Sequence, residues 1–378
     1  MNQSTGGAPL THSRLFPRLR KAVIMSVANG RGASTRGRAR RSLAWGAIAF
    51  VLVTAIFSAA VETVLPQVRD PEYGSRLVRL RAQQRAHPNR PLVLALGTSR
   101  TQNAIDAVAM EFPDEPGAPL VFNFGQSGIR PLHLRLILWR LHDAGVRPDA
   151  VFVEVFPGFL EVPASADSHF RDSSAQLTDG DVRWLTPYLD DPAALRRRWA
   201  VARLDPWSTY RGAHVARFAP EALPWSLRVG HLSYMTDQCG FSGYPSGKAT
   251  DELRERKRAK MHRTYGNPLG ALRVSAATEE AYRGLVADCR ERGVRVAFFF
   301  TPESPVFQSW YSPESRAALT AFTRMLSEEL GCPVFGAPTN YAEDDFADGH
   351  HILRPAASRF SRELADRHLR PWFAEVLK

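Results

Sequence analysis

Three residue types that together perform acyl-transfer chemistry occur here at strand ends far apart in the chain. Ser99 lies two residues beyond Gly97, which closes the short apolar run Leu92-Val-Leu-Ala-Leu96. A hydroxyl at that place becomes a nucleophile when a nearby base takes its proton. The base is expected near the other end of the chain, in Asp348-Gly-His-His351. An Asp and a His three apart can meet on one turn, the carboxylate then fixing the imidazole tautomer and stabilising the imidazolium. This spacing favours His351, with His350 as the rival base. Between them comes Asn123-Phe-Gly-Gln-Ser-Gly128, closing a second apolar run. Glycines there permit positive φ and close backbone approach. The N–H groups of Gly128 and Ser99 could hold a developing oxyanion. Taken singly, each motif also reads as a helix cap, a glycine turn or a surface histidine pair; their order and strand-end placement carry the argument.

The elements that would position them follow from hydrophobic periodicity. Short apolar runs at Leu92–Leu96, Leu120–Phe124, Ala150–Val155, Val294–Phe300 and Pro333–Gly336 read as strands buried on both faces. Pro131–Ala144, Glu279–Arg292 and Pro313–Leu330 carry apolar residues at helical spacing. Strands alternating with helices predict a parallel sheet covered on both sides, spanning residues 91–378. Residues 158–276 break the rhythm and are expected to form a large, mostly helical insertion. Trp184, Trp199, Trp207 and Trp225 lie within it. They could line a carbohydrate groove, but packing of the insertion is the preferred reading.

The amino-terminal part has a different character. The formal charge of the 378-residue chain is +11. Nine of its basic residues precede position 42, where there is no acidic residue, and taking nine from +11 leaves +2 on the rest. Residues 1–42 therefore read as a basic, disordered tail, and the near-neutral remainder argues against nucleic-acid binding. Leu43–Val61 is nineteen residues without a charge, long enough to cross a bilayer as a helix. Arg40 and Arg41 before it put the amino terminus on the cytoplasmic side and everything beyond residue 65 outside, a single-pass type II topology. A cleaved signal sequence, with Ser58-Ala-Ala60 as its site, is the rival to a retained anchor at 43–65. Residues 66–90 read as a juxtamembrane linker, a helix leading to the domain, whose arginines (Arg76, Arg79, Arg81, Arg85) form a solvated face. Cys239, Cys289 and Cys332 have no metal-ligand spacing.

Gly97-Thr-Ser99, Asn123-x-Gly-x-Ser-Gly128 and Asp348-x-x-His351 with Ile352 together resemble the blocks of the SGNH (GDSL-like) hydrolase superfamily, including membrane-anchored, envelope-facing members related to alginate O-acetyltransferases. The resemblance covers residues ~91–155 and ~280–378. It implies a three-layer α/β/α, flavodoxin-like parallel sheet, with Ser99 as nucleophile, His351 as base, Asp348 as its orienter, and Ser99 and Gly128 as oxyanion donors. It also implies activity on acyl esters, of envelope or extracellular glycans, at the inner membrane, without metal or organic cofactor. One block departs: the family's third block, G-x-N-D, supplies an Asn oxyanion donor, whereas here the strand reads Val151-Phe-Val-Glu-Val-Phe-Pro-Gly158. Gln126, Asn103 or a backbone N–H would have to substitute. Without a substitute, the alternative is a catalytically impaired protein of this fold that binds glycan or assists envelope assembly. An anion-binding loop at Gly97–Thr101 is a weaker alternative, because neither a P-loop lysine nor G-x-G-x-x-G accompanies it.

Overall fold

The computed structural model describes residues 32–161, 167–224, 236–244, 251–336 and 340–377. Trp225 and most of the basic tail, residues 1–31, lie outside them. The chain divides into two units, residues 1–56 and 57–378.

Helix α1 (Gly32–Thr63) begins within the segment expected to be a disordered tail and carries the apolar run. Its residues 35–63 are long and apolar enough to cross a membrane. Leu43, Trp45 and Phe50 are 74%, 70% and 64% exposed, an apolar surface on a helix that water does not favour. Two helices follow, α2 (Pro66–Arg69) and α3 (Pro71–Ala86). A helix is expected here, but the solvated-face reading is corrected at Arg76, which is only 1% exposed, while Tyr73, Leu77 and Leu80 pack into the main core. Gly74 lets α3 pack closely on α2, since a Cβ there would lie 2.6 Å from the backbone of Gln67. Arg81 and Arg85 do face solvent.

Five parallel strands form the sheet, β1 (Leu92–Leu96), β2 (Leu120–Asn123), β3 (Ala150–Glu154), β4 (Arg295–Phe299) and β5 (Val334–Phe335), in the order β2-β1-β3-β4-β5. Each matches an expected strand, trimmed at its ends. Leu92 pairs with Leu120 on one side of β1 and Val93 with Ala150 on the other. The two-residue alternation splits the core. Leu92, Leu94, Leu96, Phe122, Val151, Val153 and Phe298 face a layer that includes α3, α5 (Pro131–Asp143) and α11 (Ala276–Glu291). Val93, Ala95, Phe152, Ala297 and Phe299 face the carboxyl-terminal helices α14 (Arg354–Leu364) and α15 (Arg370–Val376). Alternating contact with two apolar layers is why these strands read as continuous hydrophobic runs.

The remaining helices flank this frame. A short helix α4 (Ser99–Ala104) follows β1. The insertion holds α6 (Asp167–Asp172), α7 (Asp179–Leu185), α8 (Pro192–Leu204), α9 (Pro206–Phe218) and α10 (Asp251–Gly270), as the mostly helical expectation had it. Asp191 and Asp205 accept from Ala194 and Ser208 and so start α8 and α9 as side-chain caps. Trp184 and Trp199 pack around an apolar cluster that joins the insertion to Leu136 of α5, in line with packing rather than a groove. Helices α12 (Pro305–Gln308) and α13 (Pro313–Arg324) lie between β4 and β5.

Candidate active site

Strand order reverses between β1 and β3, so the chain leaves β1 toward one edge of the sheet and later returns to build the other. Such a crevice beyond the carboxyl ends of the strands is where open α/β sheets hold ligands. At or beyond the carboxyl ends of β1, β2, β3, β4 and β5 lie, respectively, Ser99, Gly128, Glu154, Glu303 and the Asp348–His351 turn.

Ser99 opens α4, whose amino-terminal cap is Thr98. Its Oγ lies 2.8 Å from His351 Nε2, and His351 Nδ1 lies 2.8 Å from Asp348 Oδ2. Sequence distances of 252 and 3 residues thus close into one relay. The loop that carries His351 is pinned at both ends: Phe346 bridges Ile352, and the Ala347 N–H donates to the His351 carbonyl. Within it Gly349 has φ +100°, a conformation that side-chain-bearing residues rarely adopt. The loop folds back so that the His351 N–H also donates to Asp348 Oδ1.

Burial of Asp348 pushes its carboxyl up, but attraction to His351 and the hydrogen bonds from that residue outweigh it, holding the group well below the ordinary carboxylate range. A carboxylate that stays ionised is what an orienting partner must be. The rival histidine, His350, is packed away from the serine contact. It is 3% exposed, its ring lies between Phe156 and Phe307 (centroids 5.9 and 5.3 Å), and burial drives its imidazole well below the usual value. Asp348, His350 and His351 each offer a ligand atom within 4.8 Å of the others, the one such group among the described residues. Both His351 ring nitrogens, however, are engaged by Asp348 and Ser99.

The donors around the serine can be sorted by partner. The Thr98 N–H goes to Glu154, the Arg100 N–H to Thr98 Oγ1, and the Gln102 N–H to the Thr98 carbonyl. Across the second turn, the Gly125 N–H goes to Asn123 Oδ1, the Gln126 N–H to the Gly97 carbonyl and the Ser127 N–H to Glu72. The N–H groups of Ser99 and Gly128 donate to nothing among the described residues. Gly128 has φ +70° on an exposed turn. Gln126 is 6% exposed and its Nε2 has no partner. Asn103 Nδ2 donates to the Ser242 carbonyl at 2.6 Å, which ties this amide to the insertion.

What sequence reasoning missed is the support beneath the serine. Glu154, at the end of β3, is 0% exposed, and its Oε2 accepts from the Thr98 N–H (2.7 Å), Thr98 Oγ1 (2.9 Å) and Thr101 Oγ1 (2.8 Å). Gly97 allows this, since a Cβ there would sit 2.6 Å from Glu154 Oε2 and 1.9 Å from Thr101 Oγ1. Arg100, 1% exposed, supplies the counter-charge. Its Nε is 3.4 Å from Glu154 Oε1, close enough to pair though not aligned as a hydrogen bond. It also reaches Glu303 at 2.9 Å and lies over the Phe156 ring. Asn123 Nδ2 latches the far end of α4 through the carbonyls of Thr101 and Ile105. The available signal was a charged residue at the end of an otherwise apolar strand. The insertion adds Tyr244, whose ring is 5.8 Å from that of His351, and Tyr265, which meets His350 edge-on.

No protein-family model matches the chain, and no curated protein is significantly similar to it.

Proposed function

We propose that this chain is a membrane-anchored, SGNH-like serine esterase or O-acyltransferase whose α/β domain works outside the cytoplasm on acyl esters, of envelope or extracellular glycans. The observation that carries the reading is the continuous Ser99–His351–Asp348 relay, with 2.8 Å at both links. The sheet order β2-β1-β3-β4-β5 adds support, being that of flavodoxin-like folds.

In this mechanism Ser99 Oγ attacks the acyl carbonyl carbon as His351 Nε2 takes its proton. The carbonyl oxygen becomes an oxyanion, met by the free N–H groups of Ser99 and Gly128 and by the unpartnered Gln126 amide, which stands in for the missing Asn. Collapse expels the alcohol oxygen, which leaves with the proton from His351, and an acyl-Ser99 ester remains. Water or a sugar hydroxyl then attacks that ester, again giving its proton to His351. The second collapse releases acid or new ester and returns the proton to Ser99. Asp348 stays ionised throughout. Glu154 and Arg100 act on the reaction only by holding the Thr98–Ser99 turn.

The test is a fluorophosphonate probe alongside p-nitrophenyl acetate turnover. Labelling and hydrolysis that vanish in Ser99→Ala support the assignment. Labelling that persists in that variant removes Ser99 from the mechanism, and an inert wild-type chain favours the glycan-binding alternative.

A further inference from the structure

The corner between α8 and α9 presents apolar side chains to solvent. Val201 and Leu204, three apart on α8, are 64% and 79% exposed, and Trp207, opening α9, is 45% exposed. Arg196, Arg197, Arg198 and Arg211 are exposed on the same two helices. The carboxylates nearest to two of them pair only loosely, Asp191 at 3.9 Å from Arg197 and Asp172 at 3.8 Å from Arg198. Asp205, at the corner itself, caps α9. An exposed apolar group edged by arginines is unfavourable in water and well matched to an anionic lipid interface.

What sits beside this corner names its occupant. The Trp207 ring stacks on Phe57 at 4.5 Å, and Ser58 Oγ donates to the Arg203 carbonyl at 2.7 Å. Arg203 in turn pairs with Glu62 at 2.8 Å. Phe57 and Ser58 belong to the last turns of the uncharged run, which ends at Glu62. At 1.5 Å per residue, Phe57 lies roughly 8 Å along the helix from Glu62, so a ring stacked on it is at the depth of the bilayer boundary. That is where tryptophans are enriched.

We infer that the Val201–Leu204–Trp207 corner is a second membrane contact, a monotopic patch that seats the domain on the lipid surface beside its own anchor. This rests on the reading of residues 43–61 as bilayer-spanning. The occupant is the headgroup and upper acyl region of the membrane, not a protein.

The experiment uses the full chain in nanodiscs of phosphatidylcholine and phosphatidylglycerol containing doxyl-labelled lipid. In a Cys239→Ser background, NBD is attached at Leu204→Cys, at Ile48→Cys within the apolar run, and at Val108→Cys, which is 66% exposed. The expected result is strong lipid quenching at Ile48, and quenching at Leu204 several-fold greater than at Val108. Quenching at Ile48 with Leu204 no different from Val108 overturns the docking patch and leaves the anchor intact. An unquenched Ile48 overturns the anchor and the patch with it. Cross-linking of two chains through Leu204→Cys, with no lipid quenching there, also overturns the proposal, making the corner an interface between copies.

Discussion

Two ionic constellations meet at Ser99, and they differ in what surrounds them. The Asp348–His351 pair has a half-buried imidazole whose second nitrogen faces the serine. The Glu154–Arg100 pair is sealed, at 0% and 1% exposure, with its carboxylate filled by the hydrogen bonds of the nucleophile turn. The first presents an imidazole nitrogen to the serine, whereas the second is turned wholly into the support of the turn. A buried carboxylate close to a serine–histidine contact is therefore not by itself part of that contact. What decides the role is whether its partner can change protonation and reach the reacting atoms.

The comparison is broken most decisively at its active member. Ser99→Ala or His351→Ala should lower kcat by about 10⁶, the scale seen for triad residues, read as p-nitrophenyl acetate turnover. Appreciable residual turnover in either would place the chemistry elsewhere. Asp348→Asn should cost about 10⁴ by presenting the wrong imidazole tautomer. The same change tests pH linkage. Because the folded carboxyl is held below its unfolded value of about 4, its stabilisation is present above that pH and fades as acid is added toward the lowered pKa. Denaturant midpoints measured between neutral and acid pH should thus fall less steeply in Asp348→Asn than in the wild type.

For the sealed pair the expected effect is on the fold. Glu154→Ala removes the acceptor of three hydrogen bonds and one of two carboxylates beside Arg100, Glu303 remaining, and should destabilise by about 3 kcal/mol, seen in urea unfolding. Glu154→Gln keeps an acceptor for the Thr98 N–H, so it should recover part of that loss and lower kcat with little change in KM. An unchanged stability in the alanine variant would mean that Glu154 does not hold the turn. Gln126→Ala should reduce kcat about 10²–10³-fold if its amide meets the oxyanion; a rate within twofold of wild type would leave two donors, not three. Smallest of all is His350→Phe, which fits between Phe156 and Phe307 and should change turnover by less than tenfold. A loss as large as that of His351→Ala would restore His350 as the base.

Legibility followed the range of the interactions. The strands were readable because each alternates between two apolar layers. The Asp348–His351 link was readable because three residues of one turn set it. Arg76 was misread as solvated, since nothing local to Val68–Arg90 tells that α3 docks on the sheet through Tyr73, Leu77 and Leu80. Asn103 and Gln126 looked equivalent as polar residues near glycine turns. They separate only when Ser242, 139 residues away, takes the Asn103 amide.

By itself the sequence determined the alternation that makes a parallel sheet, the uncharged run long enough for a bilayer, and the residue types of a hydroxyl–imidazole–carboxylate relay. Those are properties of spacing within a few residues. Tertiary structure alone decided that Ser99 and His351 face each other at 2.8 Å, that Glu154 holds the turn from below, and that Trp207 stacks on the end of the apolar helix. Each depends on which strand lies beside which, and strand order is set by packing over the whole sheet rather than by any local pattern.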